Sequence, residues 1–549
     1  MMRSRLVSTV LLVIATLLCP MRPAEAKLPA VMDRVPPDAA AVVCIPNLDT
    51  MNEHTLQLIS SMELTISSLD QILGVIGVRR SIDLSGAAAF VMFEAEDGAP
   101  AFADWLLLLP TTDGPPLAEA LRAVPDGEIQ RFEFNGMQLW HRQVSADVAA
   151  IGPKARVDAY QGTPGNLAHY DTMLGETGAR VATDADVFMV ADVDKSGAML
   201  DGFRNGVRAG LGNMPLPFGA SMFESVANVL VHNADLLESS GESATIGLRA
   251  SSLGLRIDLG AVFDPESEFG SALAVEPLAD AARLNAIADR PFVAAGWARM
   301  DQDVLGMMMP ASEADSGVAL VSGMLEGTQE MEFVMHAPRT LTSGVIASGL
   351  VHWRGQEPDA VRTRFRTWLD GHEQPLRVNY APGAAKSGAD IWSITGPPRQ
   401  QFGRSAWLFG SPRGPQGLIH VTENDGYLVG SNNDELLTAS MAAARGEQTA
   451  LKDNVIVAQL MGLVRQDPDA MLLVNLEPVL PEARQFLQAL MGIALRVPAQ
   501  TPPMIGSLHM DEHATHASFY VPAPDLRLFL NIYEAFKPML QARPAAGQP

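Results

Sequence analysis

The stretch LHMDEHATH, residues 508–516, carries the side chains best suited to hold a metal. His509, Asp511 and His513 alternate, and on a β-strand that spacing sets all three on one face. Two neutral imidazoles and a carboxylate are ligands for zinc or copper, although a structural zinc site asks for a fourth. A solvated sheet face, polar at every second residue, produces the same pattern. A second candidate is DVDKSG, residues 192–197, which begins like a calcium loop. Its twelfth position is Phe203, where calcium wants a bidentate Glu. A strand-to-helix junction also explains these acidic residues, because a helix N-terminus favours negative charge. No cofactor other than zinc or copper at the 509–513 trio is expected.

Other motifs point away from catalysis. The chain contains no Gly-x-Ser-x-Gly elbow, no P-loop and no His-Glu-x-x-His. GSPRG (410–414) places its serine second, and GSNND (430–434) reads as a helix start capped by Ser431 or Asn432. Trp140 beside His141, and His352 beside Trp353, put an aromatic next to a histidine in two strand-like runs. Neighbours in a strand face opposite sides. The 27 methionines lack regularly spaced histidines and read as core filling.

The elements that must position these residues say more. Phe90-Val91-Met92 returns as Phe333-Val334-Met335, 243 residues later, and Leu107 and Pro115 meet Leu350 and Pro358 at the same offset. AAAVVCIPNLD (39–49) resembles PFVAAGWARMD (291–301), and VAAIGPKARVDAY (148–160) resembles YLVGSNNDELLTA (427–439). DVFMVADVDKS (186–196) resembles DAMLLVNLEPV (469–479) at offset 283, and residues 245–263 resemble 504–522 at offset 259. Blocks in one order predict two tandem copies, residues 27–275 and 276–536, followed by a disordered tail over 537–549. Each copy mixes alternating strands with helices. The reading is α+β: a mainly antiparallel sheet with helices packed on one face, duplicated about a pseudo-two-fold axis. Thr50 and Glu53 make a capping-box pattern, and apolar residues from Met51 to Leu73 share one face, predicting one long helix.

Residues 1–26 place Arg3 and Arg5 before an apolar run, Leu6 to Cys19, and end in Ala24-Glu25-Ala26. That is the pattern of a secretory signal peptide cut before Lys27. It predicts an exported protein, in the periplasm or at the cell surface, without a membrane span once cleaved. Cys44 is then the one remaining cysteine, so the fold relies on its core. A net charge of −24 excludes a nucleic-acid partner, which needs a basic face.

VPPDAAAVVCIPNLD, then DLSGAAAFVMF, VAAIGPKARVDAY and DVFMVADVD, resemble a family of exported bacterial proteins of unknown function with a duplicated α+β domain. The resemblance implies export and duplication and assigns no catalytic residue. The functional expectation is a non-enzymatic scaffold or binding protein of the envelope, its ligand or protein partner unidentified. The alternatives are an exported hydrolase with an unrecognised site, and an envelope assembly protein without a small ligand.

Overall fold

The computed structural model describes residues 28–541 apart from 95–103, 213–219, 274–283, 309–329, 337–347, most of 355–376, 396–415 and shorter stretches. The expected signal segment 1–26, residues 542–549 of the expected 537–549 tail and the Pro358 helix lie outside the described residues, whereas residues 537–541 continue the last helix instead of being disordered.

Among the described residues, twenty strands form one sheet. The first ten are β1 (Ala39–Ile45), β2 (Ala88–Phe93), β3 (Trp105–Pro110), β4 (Val124–Asp126), β5 (Ile129–Phe134), β6 (Met137–Gln143), β7 (Val148–Gly152), β8 (Val187–Asp192), β9 (Gly241–Ser251) and β10 (Gly254–Phe263). The second ten are β11 (Ala294–Arg299), β12 (Glu330–His336), β13 (Ser348–Arg354), β14 (Arg377–Ala381), β15 (Asp390–Thr395), β16 (Gln416–Asn424), β17 (Tyr427–Ser431), β18 (Ala470–Val474), β19 (Met504–Asp511) and β20 (Ala514–Pro522).

Every pairing is antiparallel. The first ten strands lie in the order β4-β5-β6-β7-β3-β2-β1-β8-β9-β10. The second ten lie in the order β14-β15-β16-β17-β13-β12-β11-β18-β19-β20. The two sets join where β10 pairs with β20, from Gly254 opposite Pro522 to Val262 opposite Ala514. The sheet is thus continuous across this seam rather than split into two lobes.

Local chemistry explains many elements. Asn135 and Gly136 both take positive φ, 51° and 79°, in the two-residue turn that closes the β5–β6 hairpin. The long helix expected after β1 is two helices, α1 (Leu48–Ser61) and α2 (Leu69–Ile76). Asn47 caps α1 by accepting from the Thr50 amide, and the capping box belongs to Ser68 and Gln71 on α2. Glu63, at φ 57°, turns the chain between them. Likewise Asn433, rather than Ser431 or Asn432, caps the helix that follows β17.

The described helices include α3 (Leu167–Asp184), bent at Gly175, α4 (Gly197–Gly212), α5 (Ala220–Ser240), α6 (Glu268–Ala272), α7 (Gln302–Met308), α8 (Asp434–Ala444), α9 (Leu480–Met491) and α10 (Ala523–Gln541). They cover both faces of the sheet, not the one face expected. On one face, Val42, Cys44, Val91, Leu106, Leu108 and Phe188 pack with Tyr170 and Leu174 of α3. On the other, Ile82, Ala149 and Ile151 form a core with Leu48 of α1. The reason lies in the strands. Runs such as AAAVVCI and WLLLLP are apolar at consecutive residues, so each face needs a cover. We call the α3 side the inner face. Here the chains approach closely: a Cβ on Gly247 would lie 2.7 Å from Val181 Cγ1 of α3.

Inner-face burial follows the same pattern in both sets of strands. Val42, Val91, Leu106, Leu108, Ala150 and Phe188 are buried. Ala295, Val334, Leu350, His352, Val429 and Met471 occupy the same pairing positions in the second set and are buried too. No helix among the described residues is long and apolar enough to cross a membrane.

Candidate functional site

The seam between β10 and β20 brings two kinds of surface together. Its inner face holds a buried polar cluster. Asp258 and Ser518 stand directly opposite each other, each 1% exposed. The Ser518 hydroxyl donates to the Asp258 carboxylate, and Arg256 Nε donates to it at 2.7 Å. His516 Nε2 lies 3.5 Å away, and Arg256 reaches Asp184 at 3.3 Å. Burial pushes the Asp258 carboxyl up, but His516, Arg256 and Ser518 together outweigh it and hold the group below the usual carboxylate range. The Asp258 carboxylate is thus held by neighbouring side chains, in a buried structural cluster rather than an open site, although His516 Nε2 has no hydrogen-bond partner.

The outer face of the same strands is apolar. Alternation turns Leu248 of β9, Ile257 and Leu259 of β10, and Phe519 of β20 to that side, opposite Asp258 and Ser518. Leu508 of β19 and Leu472 of β18 continue it. Leu248, Leu259, Leu472 and Phe519 are 39%, 38%, 43% and 43% exposed. By contrast their inner-face neighbours Gly247, Asp258, Ser518 and Met471 are buried. Helices rise at the strand ends. Leu58 of α1, Met62 just beyond its end and Leu526 of α10 pack on Ala250 and Leu255 at one end. At the other, Leu237 of α5, Phe269 of α6 and Val304 of α7 pack on Phe263, Ala261 and Met510. Two bonds, His232 Nε2 to the Met307 carbonyl at 2.7 Å and Asn233 Nδ2 to the Met308 carbonyl at 3.0 Å, fasten α5 to α7. The result is a trough with a sheet floor and two helical walls.

The residues singled out for metal binding do not converge. His509 and Asp511 lie on β19, with Nε2 3.9 Å from Oδ2. His509 Nδ1 is held by Asp469 at 3.2 Å. The strand ends at Asp511, so His513 sits in the β19–β20 turn at φ 60°, its Nδ1 2.9 Å from the Gly270 carbonyl. No group of three or more His, Cys, Asp or Glu poised for a metal occurs among the described residues. Asp192 of the DVDKSG stretch pairs with Lys195 at 2.8 Å, where β8 leads into α4.

A different constellation sits under β12 and β13. Glu332 and His352 face each other across the two strands, both on the inner side and 2% exposed. Glu332 Oε1 accepts the Leu284 amide at 2.6 Å, and burial raises its carboxyl to about 8, with Glu330 beside it adding to the rise. His352 Nε2 lies 2.8 Å from Ser440 Oγ of α8, and burial lowers the imidazole to about 4. Glu332, His352, Asn285, Lys452 and Asp453 line a cavity of about 790 Å³. Serine, histidine and glutamate together suggest acyl transfer, but the protons run the wrong way. Ser440 has one hydroxyl hydrogen and donates it to the Ala286 carbonyl. Nε2 must therefore carry its own hydrogen and donate to Ser440, whereas a general base must accept from the nucleophile. Sequence comparison could have singled out Glu332 alone, which stands immediately before Phe333-Val334-Met335 where Ala89 precedes Phe90-Val91-Met92.

No family model matches the chain, and no curated protein matches it. Among solved structures, crystal form I of TP0453 is 9% identical over 43% of this chain and 79% of that one, with a TM-score of 0.23. Crystal form III of TP0453 is 7% identical over 46% of this chain and 100% of that one, also at 0.23. A likeness at that score carries no argument about fold or function.

Proposed function

We propose that this chain is an exported, non-enzymatic binding protein of the bacterial envelope, built by internal duplication, and that its binding surface is the trough at the seam. Two features support the duplication. The strand orders of the two sets match, and the hairpin turns Ser251–Gly254 and Asp511–Ala514 stand 260 residues apart. At that spacing Asp258 corresponds to Ser518, its own pairing partner, as expected of positions on a pseudo-two-fold axis. Asp186 and Asp469 add to this. Each accepts from a backbone amide on the next strand at 2.8 Å, from Ala250 and from Met510, which are again 260 apart. Export rests on the residue 1–26 pattern.

One observation carries the binding role: four large apolar side chains remain 38–43% exposed on central strands. The main-chain groups of these strands are engaged on both edges, so the surface is not awaiting another strand. Contiguous exposed apolar surface of this kind marks an interaction site. The test is native mass spectrometry of protein purified from its own envelope. Wild type should travel with a non-covalent adduct, small molecule or protein, and a Leu259→Glu, Phe519→Glu variant should travel without it. A bare wild-type chain, or an adduct indifferent to both substitutions, rejects the reading.

The hydrolase alternative draws support from the meeting of Ser440, His352 and Glu332. It predicts esterase activity abolished by Ser440→Ala, whereas the hydrogen-bond direction argues that this serine is structural.

A further inference from the structure

We propose that the occupant of the trough is a hydrocarbon chain, such as the acyl chain of a lipid; this rests on the binding role argued above and names its ligand class. Chemistry first narrows the choice. Between Leu255 and Ala261 on β10, and between Thr515 and Val521 opposite, Thr515 is the one outer-face residue with a polar side chain, and it lies at the edge. The backbone N–H and C=O groups beneath are engaged in the ladders. An occupant therefore finds no hydrogen-bond partner on the floor. A peptide laid there would strand its own amides, while an alkyl chain has none to strand.

Size then separates a lipid from a second copy of this chain. The floor runs across five strands, β9 to β18, and along six residues of β10, about 19 Å by about 20 Å, so its footprint is roughly 400 Å². A stable protein interface takes about 800 Å² per partner. The lining is adaptable as well. Met504 and Met510 of β19 edge the trough, and thioether side chains conform to varied apolar shapes. The Phe519 ring lies over Gly506, where an added Cβ would meet it at 3.1 Å, so the missing side chain there lets the aromatic lie flat across the neighbouring strand.

The experiment is a titration of the purified chain with a fluorescent fatty acid, cis-parinaric acid, read by its emission gain. Saturable binding is expected in wild type. At least a tenfold loss of affinity is expected in Leu259→Glu and in Phe519→Glu, both at positions whose side chains are 38–43% exposed. Val455→Glu, on an exposed residue far from the trough in sequence, should bind as wild type does. Circular dichroism melts establish that each variant is folded. Absence of saturable binding, or equal binding in all variants, overturns the proposal. So does a wild-type dimer that Leu259→Glu dissociates. If the fatty acid fails but the envelope-purified protein carries a protein partner lost in the same variants, the hydrocarbon assignment falls and the binding role stands.

Discussion

Asp258 and Ser518 hold the two halves together at one point, and cutting that link should be costly. Asp258 is 1% exposed and accepts from Arg256 and Ser518. A hydrogen bond to a charged group contributes about 1.5–3 kcal/mol. Asp258→Ala removes two, yet Arg256 keeps Asp184 at 3.3 Å, so its charge is not stranded. Ser518, equally buried, is left with an unmet hydroxyl. The net expectation is a loss of about 3 kcal/mol, the lower end of what breaking a buried ion pair costs. Ser518→Ala alone should cost about 1 kcal/mol, and a double-mutant cycle should return a coupling of about 1.5 kcal/mol or more. Urea unfolding followed by circular dichroism reads both. pH supplies a second handle. The folded Asp258 carboxyl lies below its usual range, so its contribution is complete above the unfolded value near 3.9 and vanishes as pH falls through the folded value. Wild type should lose this stability on acidification below about pH 4, and Asp258→Ala should not. A coupling under about 0.5 kcal/mol would refute the idea that this pair pins the seam.

Three further outcomes follow from particular residues. Neither carboxylate oxygen of Asp525, in the first turn of α10, has a hydrogen-bond partner, and burial raises the group to about 7. Its folded value exceeds the unfolded one, so stability should decline from pH 4 to 7 and level off above; Asp525→Asn should flatten that decline in pH-dependent urea titrations. Cys44 is fully buried, and burial raises its thiol, so a thiol reagent should leave the native protein unlabelled and modify it fully in denaturant; rapid native labelling would show that β1 is exposed. At the end of β10, a Cβ on Gly254 would strike the Val521 carbonyl oxygen, so Gly254→Ala should destabilise by about 1–3 kcal/mol in thermal or urea unfolding.

Much of the strand framework was legible, because apolar runs such as Phe90-Val91-Met92 and Phe333-Val334-Met335 do become β2 and β12, each with its middle valine buried. The 243-residue spacing of these two runs and the 283-residue spacing of β8 and β18 are consistent with each other in the strand pairings, but the match of Leu107 with Leu350 is not: Leu350 lies opposite Val334 as Leu106, not Leu107, lies opposite Val91. Two other blocks slip by one residue: the pairings set the last hairpins 260 apart instead of 259, and β1 and β11 253 apart instead of the 252 of 39–49 and 291–301. In a strand, one residue is the difference between faces. The hairpin slip set Asp258 against Ala517 and hid the Asp258–Ser518 pair. It also hid the trough, since exposure of Leu259 and Phe519 depends on which helices cover which face. The 509–513 trio failed to converge for a related reason: alternation predicts a shared face only while the strand lasts, and this strand ends at Asp511. Glu332, His352 and Ser440 come from β12, β13 and α8, an encounter that no local pattern encodes.

The seam trough as a hydrocarbon site is tested most directly by photo-crosslinking. The wild-type chain is irradiated with a fatty acid carrying a diazirine at its tail, digested, and mapped by mass spectrometry. The account predicts labels concentrated in residues 241–263 and 504–522, the peptides that carry Leu248, Leu259, Leu508 and Phe519. Labels in the cavity beside Glu332 and His352, or spread evenly over the surface, would contradict it.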